Sequence, residues 1–247
     1  MNELKHSAEF RSVLTGYNLS PAALDILKQT HLVLLDGPTS SGRNTIINGL
    51  VETGDFYHIV SDTTRHIREK NGRPIEKNGR EYWFRSEADV LDGLRRGQYM
   101  EAAVIHNQQV SGCSISELSK ALAAKKIAVK DIEPAGARTI HDLKPDATII
   151  FVLPPSFEVW MQRLLGRGGI PVEELRRRLE SARAELTAAL ANDYYTFVIN
   201  DKIDDTITAV HVIAKFGQLS PLAQRHGRQL AEKLKKVTEK HLLTKRS

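Results

Sequence analysis

A nine-residue stretch, residues 37–45, carries the residue types and spacing of a phosphate-binding loop. Glycines stand at its first and sixth positions, as in the Gly-x-x-x-x-Gly-Lys-[Ser/Thr] pattern. An apolar run precedes the loop, and a segment able to form a helix follows it. This order points backbone N–H groups and the positive end of a helix dipole at an anion. The stretch therefore predicts a phosphate site, in which Arg43 replaces the usual lysine and Asn44 the usual hydroxyl residue.

A second motif lies in residues 61–68, where Arg65 and Arg68 follow a predicted strand end and several hydroxyl side chains. Two guanidinium groups can hold a phosphate dianion as a fork. Alone, the pattern also fits a charged loop whose arginines face water. Beside a phosphate loop, it fits the acceptor clamp that phosphoryl transfer requires.

A third motif is the arginine-rich run of residues 163–169, interrupted by glycines and followed by Arg176, Arg177 and Arg178. Such a run suits a segment that closes cations over transferring phosphates. The alternative is a solvated helix face with ion pairs four residues apart, such as Glu174 with Arg178.

Taken together, these motifs resemble the guanylate kinase family, nucleoside monophosphate kinases that phosphorylate GMP from ATP. The resemblance extends from about residue 31 to residue 215 and keeps the family's order of motifs. The matching segments are residues 37–42, 61–68, 76–84, 99–103, 131–136, 153–156, 166–168, 178–179 and 198–201.

The resemblance implies a donor side, an acceptor side and a set of cations. ATP would be held by Gly37, Ser40, Ser41, Gly42, Arg43, Asn44, Thr45 and Asn200. GMP would be held by Ser61, Arg65, Arg68, Tyr82, Glu101, Cys113 and Asp131. The catalytic cations would be Arg43, Arg65, Arg167 and Arg178. Mg²⁺ would accompany ATP, with Asn44 as its ligand.

Glu101 would read the guanine base in that scheme, because a carboxylate matches the adjacent N–H and amino donors that adenine lacks. Some positions depart from the family. Arginine at position 43 is bulkier than lysine, and residues 109–113 lack the family's tyrosine. Two alternatives therefore stay open: a binding or scaffold module that has lost catalysis, and a kinase with a changed acceptor nucleotide.

The elements that must position these residues alternate between strands and helices, which predicts an α/β fold. We expect a P-loop kinase core with a parallel sheet and helices on both faces, a small acceptor-binding mixed β region and a helical lid. The predicted domains are an N-terminal helical segment (1–30), a guanylate kinase-like domain (31–215, with the acceptor region about 61–113 and the lid about 157–190) and a basic helical tail (216–247). Asn71-Gly72 and Asn78-Gly79 predict two short hairpins, and residues 82–84 predict a buried strand.

Composition limits the other possibilities. Cys113 is the only cysteine, so no internal disulfide can form and we expect a cytoplasmic protein. No apolar run approaches the length of a membrane span, so we expect no membrane crossing.

The net charge of +5 comes from the tail, since residues 215–247 hold nine basic and two acidic side chains. The rest of the chain is slightly acidic, which argues against a nucleic-acid-binding core. Leu230, Leu234 and Val237 lie on one stripe of the tail and predict a solvated C-terminal helix. Contact of this tail with nucleic acid, a membrane surface or a protein is the alternative, and the oligomeric state stays open.

Overall fold

The computed structural model describes residues 4–166, 169–217 and 219–244, and the chain divides into two compact units. The first unit is Met1–His31, Tyr57–Ala128 and Asp142–Pro145, and the second is Leu32–Phe56, Val129–His141 and Asp146–Ser247. The helices are α1 (Ser7–Leu14), α2 (Pro21–Gln29), α3 (Arg43–Glu52), α4 (Glu87–Arg95), α5 (Ile115–Ala123), α6 (Pro134–Leu143), α7 (Phe157–Leu165), α8 (Val172–Ala191), α9 (Ile203–Phe216) and α10 (Pro221–Thr244). The strands are β1 (Leu32–Asp36), β2 (Phe56–His58), β3 (Asp62–Thr63), β4 (Glu69–Lys70), β5 (Arg73–Pro74), β6 (Trp83–Phe84), β7 (Tyr99–Ile105), β8 (Gln109–Ser114), β9 (Ile127–Asp131), β10 (Thr148–Leu153) and β11 (Tyr195–Ile199).

The second unit is built on a sheet with the strand order β11-β10-β1-β9-β2. Its β1, β10 and β11 pair in parallel. All five residues of β1 are buried, as expected for a strand covered on both faces. The predicted α/β class with a parallel sheet is confirmed.

The first unit contains a four-stranded sheet with the order β6-β3-β8-β7. Here β3 is parallel to β6 and antiparallel to β8, so the sheet is mixed, as predicted. Its β7 and the helices α1 and α4 enclose a core that includes Phe10, Leu94 and Tyr99. Ser20 begins α2 by accepting a hydrogen bond from the N–H of Ala23.

Several local expectations meet different outcomes. Asn71 and Gly72 both have positive φ and close the predicted β4–β5 hairpin. The second predicted hairpin is wrong, because Asn78 instead forms a parallel bridge with Tyr82. The strand at Trp83–Phe84 is half-buried, not buried, because it pairs at the edge of the mixed sheet. β8 and α6 were not anticipated.

The tail helix α10 is not simply solvated, which corrects the expectation for this segment. Gly227, Ala231, Leu234 and Thr238 are buried, and α10 packs against α8 and β11. Leu234 therefore belongs to a covered stripe. Within the described part of the chain, no helix has both the length and the apolar character to span a bilayer.

Candidate active site

The phosphate loop lies between β1 and α3, as its sequence predicted. Gly37 and Gly42 have φ values of 137° and 105°, which favour glycine. A Cβ atom on Gly37 would lie 2.4 Å from the carbonyl oxygen of Val152, and one on Gly42 would lie 2.1 Å from the side-chain nitrogen of Asn200. Both glycines are therefore required by the packing around the loop. The loop leads directly into the N-terminus of α3, where backbone amides can bind an anion.

Three hydrogen bonds with residues outside the loop fix its path. The Trp160 indole on α7 donates to the carbonyl of Thr39 at 2.8 Å. The Asn200 amide donates to the carbonyl of Ser41 at 2.7 Å. At the start of the loop, the N–H of Gly37 donates to the carboxylate of Asp36 at 2.6 Å. These bonds therefore hold the loop in shape.

Asn200, one of the predicted ATP-binding residues, has a buried side chain that is hydrogen-bonded to the loop. Its amide oxygen also accepts a hydrogen bond from the hydroxyl of Thr206 at 3.2 Å. Ser41 is also fully buried, and its hydroxyl oxygen has no hydrogen-bond partner among the described residues.

Asp36 is a functional candidate that the sequence analysis missed. Its carboxylate is buried and also accepts from the hydroxyl of Tyr195 at 2.6 Å. Burial raises the pKa of Asp36 to about 6, against the opposing effects of Tyr195, Gly37 and the charge of Arg43. The available signal was a lone acidic residue at the end of an apolar strand, directly before the loop.

A cavity of about 530 Å³ opens beside the loop in the second unit. It is lined by Ser40, Gly42, Thr45, Gln162, Arg163, Gly166, Asn200, Asp201 and Ile203. Arg163 donates to the backbone carbonyls of Asn200 and Asp201, at 3.0 and 3.3 Å. The sequence analysis grouped Arg163 with the lid arginines but gave it no role at the site. The cavity brings the loop, α7 and the start of α9 together around a space that suits a nucleotide.

The two unusual loop residues differ in their surroundings. Arg43 is half-buried and donates to the carbonyl of Ile132 at 3.3 Å, while Asn44 is exposed in the first turn of α3. The charges of Asp36 and Arg43 also act on Glu185 of α8. Burial and the charge of Asp36 raise the pKa of Glu185 to about 7, and the charge of Arg43 opposes this rise. One Glu185 oxygen is buried and has no hydrogen-bond partner among the described residues.

The structure describes one of the two predicted lid arginines. Arg178 on α8 pairs with Glu174 at 2.9 Å, which is the helix-face ion pair considered above as the alternative. Arg167 lies outside the described residues. Asp131 is exposed at the end of β9 in the second unit.

The arginine clamp in the first unit is strongly organised. Arg65 forms two hydrogen bonds of 2.6 Å to the carboxylate of Glu76, and its guanidinium lies over the rings of Tyr82 and Phe84. The same carboxylate accepts from the backbone N–H of Arg68 at 2.8 Å. The Arg65 hydrogen bond lowers the pKa of Glu76 to about 2. Glu76, to which the sequence alone assigned no role, therefore orients the Arg65 guanidinium and holds the backbone at Arg68.

Ser61, Glu101 and Cys113, three further predicted acceptor residues, lie on or directly beside the mixed sheet of the same unit. Ser61 directly precedes β3, and Glu101 on β7 pairs in register with Cys113 on β8. Both Ser61 and Glu101 are half-buried, whereas Cys113 is completely buried. A cavity of about 940 Å³ lies beside Arg65 and Arg68, but the other predicted acceptor residues do not line it.

A buried carboxylate, Glu117, holds the backbone directly before Ser61 and β3. It accepts hydrogen bonds from the backbone N–H of Val60 at 3.0 Å, the Trp83 indole at 3.1 Å and the Tyr57 hydroxyl at 3.2 Å. These bonds fix the residue just before Ser61 and the strand β6 that follows the clamp. A buried charge with this many donors is an organising group rather than a ligand contact.

Comparisons with known proteins agree with this geometry. The family model described as guanylate kinase matches residues 29–215. A guanylate kinase of Corynebacterium diphtheriae is 35% identical over 184 residues, covering 74% of this chain and 93% of the relative. One from Nostoc sp. is 34% identical over 187 residues, covering 75% and 89%. A crystal structure of guanylate kinase from Anaplasma phagocytophilum shares the fold, with a TM-score of 0.54 and 23% identity, over 90% of this chain and 97% of that one. The phosphate loop, the arginine clamp and these matches together place the chain in the guanylate kinase family.

Proposed function

We propose that this chain is an active guanylate kinase that transfers the terminal phosphoryl group of ATP to GMP. An oxygen of the GMP phosphate bonds to the γ-phosphorus as the bond to the bridging oxygen breaks, and ADP and GDP leave. The protein supplies positioning and charge rather than covalent chemistry.

The observation that carries the proposal is the set of hydrogen bonds that holds the phosphate loop in shape. Hydrogen bonds from Trp160 and Asn200 hold its carbonyls, and close packing around Gly37 and Gly42 fixes the path of its backbone. The amides of residues 40–45 would bind the ATP phosphates, with Arg43 and the lid arginines balancing their charge.

The loop also fits the metal that accompanies ATP. No group of three or more His, Cys, Asp or Glu among the described residues could hold a metal ion by itself. This agrees with an Mg²⁺ ion held mainly by phosphates and water, since Mg²⁺ takes only one or two protein ligands in such sites. The amide oxygen of Asn44 would be one ligand, and Mg²⁺ would neutralise charge between the phosphates.

The acceptor assignments rest on the first unit. Arg65, Arg68 and Tyr82 would hold the GMP phosphate, and Ser61 and Glu101 would read the guanine. The support is the Glu76 carboxylate, which orients the Arg65 fork through two hydrogen bonds. Cys113 would act only from behind this surface, because its side chain is buried. We expect the protein to work in the cytoplasm, where a lone cysteine stays reduced.

An acceptor screen tests the proposal. ADP release is measured with ATP–Mg²⁺ and GMP, IMP, AMP, CMP or UMP, and GMP should be preferred. Glu101→Gln should lower kcat/KM for GMP at least about tenfold. The loss for IMP should be smaller, since IMP lacks the amino group that would donate a hydrogen bond to Glu101. Glu52→Gln, at an exposed position of α3, is the matched control.

Other outcomes identify the alternatives. Turnover with a different monophosphate would mean a changed acceptor. Tight ATP binding by calorimetry without turnover on any acceptor would mean a binding module. The engagement of Arg43 by Ile132 and of Arg178 by Glu174 is the observation that favours the latter.

A further inference from the structure

The C-terminal helix α10 lies outside the part of the chain that matches the family model, which ends at residue 215. It nevertheless packs on the second unit, against β11, α7 and α8. These are the elements that carry or adjoin the residues tying down the phosphate loop. The contacts of α10 therefore bear on the ATP half of the site.

The first half of α10 covers the open edge of the parallel sheet. β11 is the edge strand, so the backbone groups facing away from β10 need other partners. The side-chain amide of Gln224 supplies them: it accepts from the N–H of Phe197 at 2.9 Å and donates to the carbonyl of Tyr195 at 2.8 Å. One glutamine side chain thus pairs with two backbone groups of β11 that a neighbouring strand would otherwise pair with.

Close packing holds Gln224 in place. A Cβ atom on Gly227 would lie 2.6 Å from the Cβ of Phe197 and 3.0 Å from its carbonyl oxygen. The next turns bury Ala231 and Leu234. The helix and the strand approach each other as closely as a glycine permits, which fixes the distance between them.

The strand that α10 holds is attached to the phosphate loop at two points. Tyr195, at the start of β11, donates to Asp36, which in turn accepts from the N–H of Gly37. Asn200, directly after β11, donates to Ser41. A shift of β11 would therefore move both the beginning and the middle of the loop.

The second half of α10 reaches the third attachment. Leu242 packs against the apolar cluster that contains Trp160 and Leu164 of α7 together with Leu175 and Leu179 of α8. Trp160 donates from this cluster to Thr39 of the loop. Arg228 connects the same helix to the end of α8 by donating to the carbonyl of Leu190.

We propose that α10 is a working part of the ATP half-site, in which Gln224 is a positioning residue that sets the phosphate loop through β11. The helix acts at a distance and touches no substrate. Its effect on ATP affinity rests on the proposed function, whereas its effect on the loop itself does not.

Gln224→Met tests this, because methionine keeps the volume of glutamine and removes both hydrogen bonds to β11. Gln229→Met makes the same replacement at an exposed position of the same helix and is the matched control. Hydrogen exchange is measured on the ligand-free full chain for the amides of residues 37–45 and 195–200. We expect faster exchange in both segments for Gln224→Met and no change for Gln229→Met.

ATP affinity is measured on the same proteins by calorimetry, with GMP affinity as the internal reference. We expect the Kd for ATP to rise about fivefold in Gln224→Met, as expected for the loss of about one hydrogen bond. The Kd for GMP should not change, because its proposed ligands Arg65, Arg68 and Glu101 lie in the first unit. Gly227→Ala, which pushes α10 from β11, should act in the same direction.

Unchanged exchange in the loop together with a lower melting temperature would overturn the proposal, since α10 would then only stabilise the fold. If wild-type protein bound no ATP, the proposed kinase function would fail, and the exchange of the loop would still decide the role of Gln224. If Gln224→Met does not fold, the same measurements on Gln224→Glu decide, because glutamate retains the acceptor for Phe197 and loses the donor to Tyr195.

Discussion

The carboxylate of Glu76 accepts one hydrogen bond from each terminal nitrogen of Arg65, both at 2.6 Å. The side chain of Glu76 is 9% exposed and that of Arg65 is 13% exposed, so water competes little for this ion pair. A third bond from the N–H of Arg68 joins the second arginine to the same carboxylate. The acceptor clamp therefore depends on an acidic residue that need not touch the substrate.

Replacing that carboxylate should weaken the acceptor side selectively. Glu76→Gln presents an amide to the guanidinium and loses the bidentate geometry, so we expect the KM for GMP to rise about tenfold. The KM for ATP should change little. Steady-state kinetics with each substrate varied checks this, with Glu69→Gln, at an exposed position of β4, as the control. Equal losses for both substrates would contradict a local role.

The same pair predicts a stability change in acid. The pKa of Glu76 is lowered from 4.5 to about 2, so the folded protein holds the proton less tightly than the unfolded chain. The stabilisation is complete above pH 4.5 and is lost as the pH falls towards 2. Denaturant titrations of wild type and Glu76→Gln should therefore converge on acidification. A gap that stays constant from pH 6 to pH 3 would refute this assignment.

Gly42 should be intolerant of a side chain for two separable reasons. Gly42→Ala adds a positive-φ cost and a clash with the Asn200 amide, which lies 2.1 Å from the added Cβ. Gly54→Ala carries only the first cost, because no atom lies within 4 Å of its added Cβ. We expect Gly54→Ala to lose about 1 kcal/mol of stability. Gly42→Ala should lose more, because the clash adds to the same backbone cost. Only Gly42→Ala should abolish ATP binding by calorimetry.

Arg43 should act through its charge if this chain transfers phosphate. We expect Arg43→Ala to lower kcat about 100-fold or more, as removal of a cation or donor at a developing charge does. Arg43→Lys keeps the charge and should retain most of the rate. Arg138→Ala, on an exposed arginine of α6, is the control. Full activity of Arg43→Ala would show that the phosphates are balanced elsewhere.

Asp36 should make the folded state less stable as the pH rises. Its pKa is raised from 3.8 to about 6, so between these values the folded protein binds more protons than the unfolded chain. Its contribution is most favourable below pH 4, declines as the pH rises from 4 to 6 and is fully lost above 6. Asp36→Asn removes this titration. The free energy of unfolding, measured by denaturant titration at several pH values, should therefore fall less steeply from pH 4 to pH 6 in the variant, and identical slopes would rule Asp36 out as the cause.

The sequence by itself determined the features that depend on neighbouring residues. The glycine spacing of residues 37–42 identified the phosphate loop, because a strand–turn–helix needs glycine where φ is positive. Asn71-Gly72 identified a hairpin for the same local reason. Ser20 before Pro21 is likewise a local pair typical of a helix start, and α2 begins there. The order of the phosphate loop, the arginine motif of residues 61–68 and the later matching segments was enough to point to the family.

The tertiary structure decided which side chains are free to meet a substrate. Asn200, a predicted ATP ligand, has its amide hydrogen-bonded to Ser41 and Thr206 and lines the cavity beside the phosphate loop. Asp36 and Glu76 gained roles because folding brings Tyr195 and Arg65 to them from elsewhere in the chain.

The strand β8 and the covering of β11 by α10 also depend on long-range pairing. A strand is stabilised mainly by its partners, and one face of an amphipathic helix reveals nothing about what covers it. The sequence thus specifies the local turns and caps that nucleate the elements. Contacts between distant elements determine the rest, because hydrogen bonds and burial are satisfied only after the chain has folded.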